Sequence, residues 1–152
     1  MGRGRGGYTG KKSNYIDSGG RKVTDLGSIF IGERYIEAGY ETVFRQRHDE
    51  IEQQTYDLTI KSSNDKDFIK NIEVKRTTSP NPSQLAKNIK EGFEQVGNDT
   101  VAIYLPNHKN NASGIDYAKS AFAEAKRKGW IHGTVEVWFS DSKKMSDRLI
   151  FD

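Results

Sequence analysis

Two acidic residues and a lysine in this sequence have the types and spacing that cleavage of a phosphodiester bond requires. Glu73 and Lys75 lie two positions apart in the segment NIEVKR, and Asp57 precedes Glu73 by 16 residues. Side chains two positions apart in a β-strand point to the same face, so we expect Glu73 and Lys75 to project together. Ile72 and Val74 should be buried on the opposite face, and a hairpin should bring Asp57 beside the pair.

This combination predicts a metal-dependent nuclease. The carboxylates of Asp57 and Glu73 can hold Mg²⁺ or Mn²⁺, which prefer oxygen ligands. Such a cation acidifies a water molecule and neutralises charge on the phosphate in the transition state. The ammonium group of Lys75 can orient the attacking water or stabilise the pentavalent phosphate. Because Glu-x-Lys alone is usually a solvated ion pair on a strand, the prediction depends on the other acids.

Glu33 is the further candidate for a metal ligand and catalytic acid. It is the one charged residue within the apolar stripe of a predicted helix over residues 25–38. A buried charge is costly unless it is paired or bound to a metal, so a carboxylate in this stripe could reach the metal directly or through water. Glu37, one turn later, is the alternative. The apolar stripe consists of Leu26, Ile29, Ile36 and Tyr40.

Several polar residues near these acids are candidate substrate contacts. Three follow Lys75 directly and could contact the backbone of a nucleic-acid strand, although a polar strand end would look the same. Others lie on the next predicted helix, where most should be solvated. A histidine in the polar segment before Asp57 ionises near neutral pH and could exchange protons with a substrate. These candidates are Arg76, Thr77, Thr78, Gln84, Lys87 and His48.

The hydropathy pattern predicts an α/β domain with a mixed central β-sheet flanked by helices. Asp25 is the expected cap of the first helix and Ser83 that of the second. Short runs of branched and aromatic residues predict the strands. The predicted elements are a helix over 25–38, strands over 40–44, 56–61 and 68–76, a helix over 83–96, a strand over 100–105, a helix over 115–128, and strands over 135–139 and 148–151.

Composition separates a tail from this domain. Residues 1–22 are rich in Gly and Arg and poor in apolar groups, so we expect a flexible tail or linker there and a folded domain over 23–152. The net charge is +3, but the first 25 residues contain six basic and two acidic residues. The folded part is therefore not uniformly basic, and nucleic-acid binding would need a local patch together with metal ions.

The composition also excludes some classes of site. The chain has no cysteine, which rules out disulfides, thiolate metal sites and cysteine nucleophiles. No apolar run approaches the roughly 20 residues that span a bilayer, so we expect no membrane segment. The Gly/Arg-rich beginning of the chain also lacks the pattern of a signal peptide.

Residues 23–151 resemble the PD-(D/E)xK nuclease superfamily. The resemblance is carried by the segments GERYIEAGYETVFRQ, YDLTI, NIEVKR and SQLAKNIKEGFEQVGNDTVAIYLP. It is narrower to the carboxyl-terminal toxin domains of CdiA-type contact-dependent growth inhibition proteins. It implies that Glu33 is the helix acid, Asp57 and Glu73 the metal-binding acids, and Lys75 the catalytic lysine. Tyr56 stands where the superfamily signature has proline.

The resemblance implies a function as well as a fold. It predicts a toxin domain that a producing bacterium delivers into a neighbour, where the domain cleaves nucleic acid in the cytoplasm and is neutralised by a cognate immunity protein. We expect tRNA to be the substrate, with DNA as the close alternative, because the same catalytic residues serve both. A module that binds nucleic acid without cleaving it, through the basic tail, is the alternative of another class.

Overall fold

The computed structural model describes residues 15–46 and 56–152 as a six-stranded sheet with helices on both faces. This confirms the predicted α/β class with a mixed, helix-flanked sheet, and the elements follow in the predicted order. In chain order they are α1 (Leu26–Glu37), β1 (Glu41–Phe44), β2 (Leu58–Lys61), β3 (Ile69–Arg76), α2 (Pro82–Val96), β4 (Thr100–Leu105), α3 (Ala112–Arg127), β5 (Thr134–Phe139), a 3₁₀ turn (Met145–Asp147) and β6 (Leu149–Phe151).

The spatial order of the strands is the same as their order in the chain. β1, β2 and β3 form an antiparallel meander, β3 to β5 are parallel, and β6 returns antiparallel to β5. Parallel neighbours need a crossover connection, and α2 and α3 provide the two crossovers. One side of the sheet, which we call the carboxyl edge, consequently contains the ends of β1, β3, β4 and β5 and the start of β2.

The strands do not all extend equally far toward the carboxyl edge. The ladder between β2 and β3 ends where Leu58 is paired with Ile72, whereas β3 continues to Arg76 alongside β4. The last residues of β3, from Glu73 onward, therefore lie beyond the last pair with β2. This offset creates a step in the sheet at the residues that the sequence singles out.

Two apolar cores lie on opposite faces of the sheet. α1 covers the face that carries Ile72 and Val74, and α2 and α3 cover the other face. α2 approaches β4 so closely that a Cβ atom at Gly92 would lie 2.7 Å from a methyl group of Val101. The second core includes Leu85, Ile89, Phe93, Ala118, Ala121, Val101, Ile103, Val135, Val137 and Phe139.

α1 is buried over more of its surface than a single stripe. Asp25 caps it as predicted, because its carboxylate accepts hydrogen bonds from the amide and hydroxyl groups of Ser28 at 2.9 and 2.7 Å. Leu26, which the stripe predicts to be buried, is 53% exposed, whereas Phe30 and Ile31 are buried. The single-stripe prediction is wrong here because other segments of the chain also pack on this helix.

One of these segments precedes the domain start that the sequence predicts at Val23. Residues 16 and 22 form an isolated antiparallel bridge, and the amide of Val23 donates to the carbonyl of Tyr15 at 3.0 Å. The ring of Tyr15 packs against Phe44, with the ring centroids 4.9 Å apart. Residues 15–23 thus form a turn, here called the N-terminal turn, that lies against α1 and the end of β1.

Several predicted boundaries differ from the structure. The second helix begins at Pro82 and is capped by Asn81 instead of Ser83, since proline at the first helical position needs no partner for an amide hydrogen. α3 begins at Ala112, capped by Asn111, which is earlier than the predicted start at residue 115. Asp57 immediately precedes β2 instead of lying in it.

Across the described residues, no helix combines the length and apolar character needed to cross a bilayer.

Candidate functional site

Glu73 and Lys75 project together from β3, as the alternation of a strand predicts. The ammonium nitrogen of Lys75 lies 3.6 Å from a carboxylate oxygen of Glu73. Glu73 is buried, at 4% exposure, and a quarter of the Lys75 side chain is exposed. Ile72 and Val74 are buried in the core on the α1 side. The pair therefore joins a nearly enclosed carboxylate to a cation that reaches solvent.

Asp57 lies beside this pair because its backbone continues the hairpin past the end of the β2–β3 ladder. Its amide donates to the carbonyl of Ile72 at 2.9 Å. Its carboxylate then accepts a hydrogen bond from the amide of Val74 at 2.9 Å, so a side chain takes the place of the next ladder bond. Asp57 is 7% exposed. The predicted juxtaposition of Asp57 with the Glu73–Lys75 segment is thus present, and a backbone contact fixes it.

The donor set of these two acids is suited to a hard divalent cation. Mg²⁺ is commonly held by one or two carboxylates, with water and substrate phosphates as the other ligands. Asp57 and Glu73 provide that many carboxylates at the step in the sheet. Within residues 15–46 and 56–152, no three His, Asp or Glu side chains are grouped so as to hold a metal ion. A cation held by Asp57 and Glu73 would therefore need its other ligands from outside the described residues.

Glu33 lies in the α1 layer. It is fully buried, and the hydroxyl of Tyr15 donates to its carboxylate at 2.7 Å. α1 covers the face of the sheet opposite to the one from which Glu73 projects. The role of Glu33 as a catalytic acid and metal ligand stays a prediction. Glu37, the alternative, is exposed and borders a groove with Lys143.

A row of polar side chains connects the end of β3 to α2 on the face from which Glu73 projects. Thr77 is 2% exposed, and its hydroxyl accepts a hydrogen bond from the amide group of Asn88 at 2.6 Å. Asn88 in turn accepts one from Gln84 at 3.1 Å. Thr77 therefore anchors α2 to β3, and the exposed Gln84 extends the row along α2.

The other predicted substrate contacts lie at exposed positions or outside the described residues. Arg76 and Thr78 are exposed at the end of β3, and the carbonyl of Thr78 accepts a hydrogen bond from Asn107 at 3.3 Å. Lys87 is exposed on α2. His48 falls outside the residues that the structure describes. Arg76 and Lys87 are thus available to a strand that crosses the carboxyl edge, and their role in binding stays a prediction.

His108 is a titratable residue at the same edge that the sequence pattern does not distinguish. It follows β4, and its ring stacks on Tyr117 with centroids 4.0 Å apart. Its Nδ1 atom is buried without a hydrogen-bond partner within the described part of the chain. Burial raises the pKa of Tyr117, and the hydroxyl of Tyr117 donates to the carbonyl of Ser79 at 2.5 Å. These contacts hold together the loops that follow β3 and β4.

A second acid–lysine pair occurs in the core on the α1 side. Glu136 of β5 is fully buried and forms an ion pair with Lys70 of β3. Its carboxylate also accepts hydrogen bonds from Tyr35 at 2.5 Å and from the indole of Trp138 at 3.1 Å, and Arg148 lies 3.6 Å away. The alternating pattern of VEVWF identifies a strand but gives no sign of this network.

Comparison with known proteins leaves the function to be argued from the site. No protein-family model matches the chain. No curated protein and no solved structure matches it significantly.

Proposed function

We propose that this chain is a divalent-metal-dependent endonuclease of the PD-(D/E)xK type with Asp57, Glu73 and Lys75 as its catalytic residues. One observation carries the proposal: where the β2–β3 ladder stops, the nearly buried carboxylate of Asp57 is bonded to the strand segment that carries buried Glu73 and partly exposed Lys75. These acids lie at an open step in the sheet together with a lysine that reaches solvent, and this position favours a functional role.

Each of the three residues has a separate task in this proposal. Asp57 and Glu73 hold Mg²⁺ or Mn²⁺ through carboxylate oxygens, and the bound cation supplies Lewis acidity toward water and phosphate. The backbone contact of Asp57 with Val74 keeps one ligand in place before substrate binds. Lys75 directs its ammonium group at the phosphate and stabilises negative charge in the transition state. Its exposure is sufficient for it to leave Glu73 and contact a substrate.

The proposed substrate is a nucleic-acid strand. The resemblance to growth-inhibition toxins favours tRNA over DNA, and on the same basis we propose that the domain is delivered to a target cell and bound there by a cognate immunity protein. Arg76, which follows Lys75 in the chain, and Lys87 on α2 are exposed, and both favour contact with a phosphate backbone. The chemistry of the three catalytic residues is the same for both nucleic acids, so experiment must choose between them.

The test is incubation of the purified chain with total tRNA and with plasmid DNA, in Mg²⁺, in Mn²⁺ and in EDTA. We expect cleavage of one substrate with a divalent cation and none in EDTA. Asp57→Asn and Glu73→Gln should abolish cleavage, and Lys75→Met should reduce it by about 100-fold to 1,000-fold, as when one transition-state donor is lost. The control is Glu94→Gln, which neutralises an exposed acid on α2 and should cleave normally.

Two outcomes would reject the proposal. Cleavage that persists in EDTA or in both acid variants would show that these carboxylates do not hold a catalytic metal. Binding of nucleic acid without cleavage under any of these conditions would identify a non-catalytic binding module. Cleavage of plasmid DNA but not of tRNA would retain the nuclease and replace the favoured substrate.

A further inference from the structure

A pocket with charged walls is lined on one side by Asp57. The N-terminal turn provides one wall of the pocket, the start of α1 a second and the end of β1 a third. The side chains that matter for its charge are Asp17, Lys22, Asp25, Arg45 and Asp57. Because the N-terminal turn precedes the predicted domain, nothing in the sequence pattern indicates that it would border a site.

Among the described residues, the two cations of this pocket form no ion pair, whereas two of its acids accept hydrogen bonds within the fold. Lys22 and Arg45 are exposed, and within residues 15–46 and 56–152 neither makes an ion pair. The carboxylate of Asp17 accepts hydrogen bonds from backbone amides of its own turn, at 2.8 and 3.0 Å. Asp25 is occupied with the amide and hydroxyl of Ser28. Of these five charged side chains, Lys22 and Arg45 are therefore the two that an external anion would contact.

Arg45 is held in position at the mouth of the pocket. Its amide donates to the carbonyl of Asp57 at 2.8 Å, which fixes its backbone to the start of β2. Its guanidinium carbon lies 5.5 Å from the ring centroid of Tyr56, a cation–π contact that limits the freedom of the side chain. A guanidinium group restrained in this way loses less entropy when it binds a phosphate.

We propose that Lys22 and Arg45 form a phosphate-binding subsite for the nucleic-acid strand, next to the scissile phosphate. Asp57 lines this pocket, and its carboxylate is bonded to the amide of Val74, between Glu73 and Lys75 in the chain. A strand whose scissile phosphate lies at the catalytic residues would place a neighbouring phosphate at Lys22 and Arg45. This inference rests on the proposed function, and it assigns the N-terminal turn to the substrate-binding surface.

Binding must be measured without cleavage to test this subsite. The probe is a fluorescein-labelled single-stranded oligonucleotide, and its anisotropy is followed in the Glu73→Gln background with Mg²⁺ over a series of salt concentrations. In that background, Lys22→Ala/Arg45→Ala is compared with Lys119→Ala/Arg127→Ala, which removes the same two charges from exposed positions on α3. Melting temperatures establish that all variants are folded.

We expect Lys22→Ala/Arg45→Ala to weaken binding about tenfold at low salt and to lower the slope of log K against log salt by about 1.5, since each lost phosphate contact lowers it by about 0.7–0.9. The control should change neither quantity. Equal effects of the two double variants would overturn the inference, because only the net charge would then matter. Cleavage by the unmodified chain tests the proposed function separately. If the unmodified chain cleaves nucleic acid but Lys22→Ala/Arg45→Ala binds the probe as tightly as the control does, the subsite is wrong and the proposed function stands.

Discussion

Two acid–lysine pairs of this sheet have opposite surroundings. The Glu136–Lys70 pair lies between β5 and β3 under α1, where the carboxylate is fully enclosed and contacts a tyrosine, an indole and an arginine as well as the lysine. The Glu73–Lys75 pair lies along β3 at the carboxyl edge, with its charged groups 3.6 Å apart and the lysine partly exposed.

The difference agrees with a structural role for the Glu136–Lys70 pair and with the catalytic role that we propose for the Glu73–Lys75 pair. Donors of the fold surround the carboxylate of Glu136, so no substrate can reach it. The strand segment of Glu73 contacts Asp57, a second carboxylate, through the amide of Val74, and Lys75 is partly exposed. Removal of one partner from a buried ion pair strongly lowers the stability of the fold, because the other charge then stays buried without compensation. In the Glu73–Lys75 pair one partner is partly exposed, so its ammonium group can contact a ligand from solvent, as our proposal requires.

The largest effect on stability should come from removal of the enclosed acid. Glu136→Ala leaves Lys70 and Arg148 without their anion and should lower the free energy of unfolding by about 3–5 kcal/mol. Urea denaturation followed by circular dichroism measures this change. If Glu136→Ala were no more destabilising than Glu73→Ala, the contrast between the two pairs would be lost.

Tyr35→Phe should have an intermediate effect that depends on pH. The substitution removes one donor from the carboxylate of Glu136 and should cost about 1–3 kcal/mol at neutral pH. Burial raises the pKa of Tyr35, and the negative charge of Glu136 raises it further, so the folded state retains a proton that the unfolded chain releases near pH 10. The stability that Tyr35 contributes is therefore complete below that pH and is lost as the pH rises toward the folded-state pKa.

The measurement is the difference in unfolding free energy between the unmodified chain and Tyr35→Phe, taken at several pH values. This difference should shrink as the pH rises from about 9 to about 11, because only the unmodified chain has this linkage. A difference that stays constant over this range would show that Tyr35 is not protected by its burial against Glu136.

The smallest effect should come from the open pair. Glu73→Gln and Lys75→Met should each change the free energy of unfolding by less than Glu136→Ala does, because Lys75 is partly exposed, and Glu73→Gln should leave the melting temperature unchanged or raise it, because it removes one of two negative charges from this part of the sheet. Thermal unfolding in EDTA is the appropriate measurement. A loss of several degrees in both variants would instead identify the pair as a structural one.

The elements that position the site could be predicted from the sequence, because their signals are local. Alternation along NIEVKR placed Glu73 and Lys75 on one face, and the turn-rich segment before it indicated the hairpin that brings Asp57 close. The end of the β2–β3 ladder could not be predicted, since register depends on how two strands pack and not on either strand alone. The same limit explains why Asp57 was assigned to the strand that it precedes.

Long-range contacts account for what the pattern missed. Glu136 has partners that come from α1, β3 and the segment before β6, which no local periodicity brings together. Lys22 belongs to a glycine-rich stretch that is typical of a tail, and only its packing against α1 and the end of β1 gives it a place beside Asp57. Leu26 fits the helical stripe in the sequence but is exposed. The sides of α1 that are buried depend on where the sheet and the N-terminal turn pack against it, and the spacing of apolar residues within the helix does not contain that information.

The most direct test of the central claim is the rate at which the purified chain cleaves nucleic acid in Mg²⁺, compared between the unmodified protein and Glu73→Gln. Both melting temperatures are measured in the same buffer. We predict metal-dependent cleavage by the unmodified protein and none by Glu73→Gln, with a melting temperature that is unchanged or higher. Equal cleavage rates for the two proteins would contradict the account, as would a loss of activity that accompanies a loss of folding.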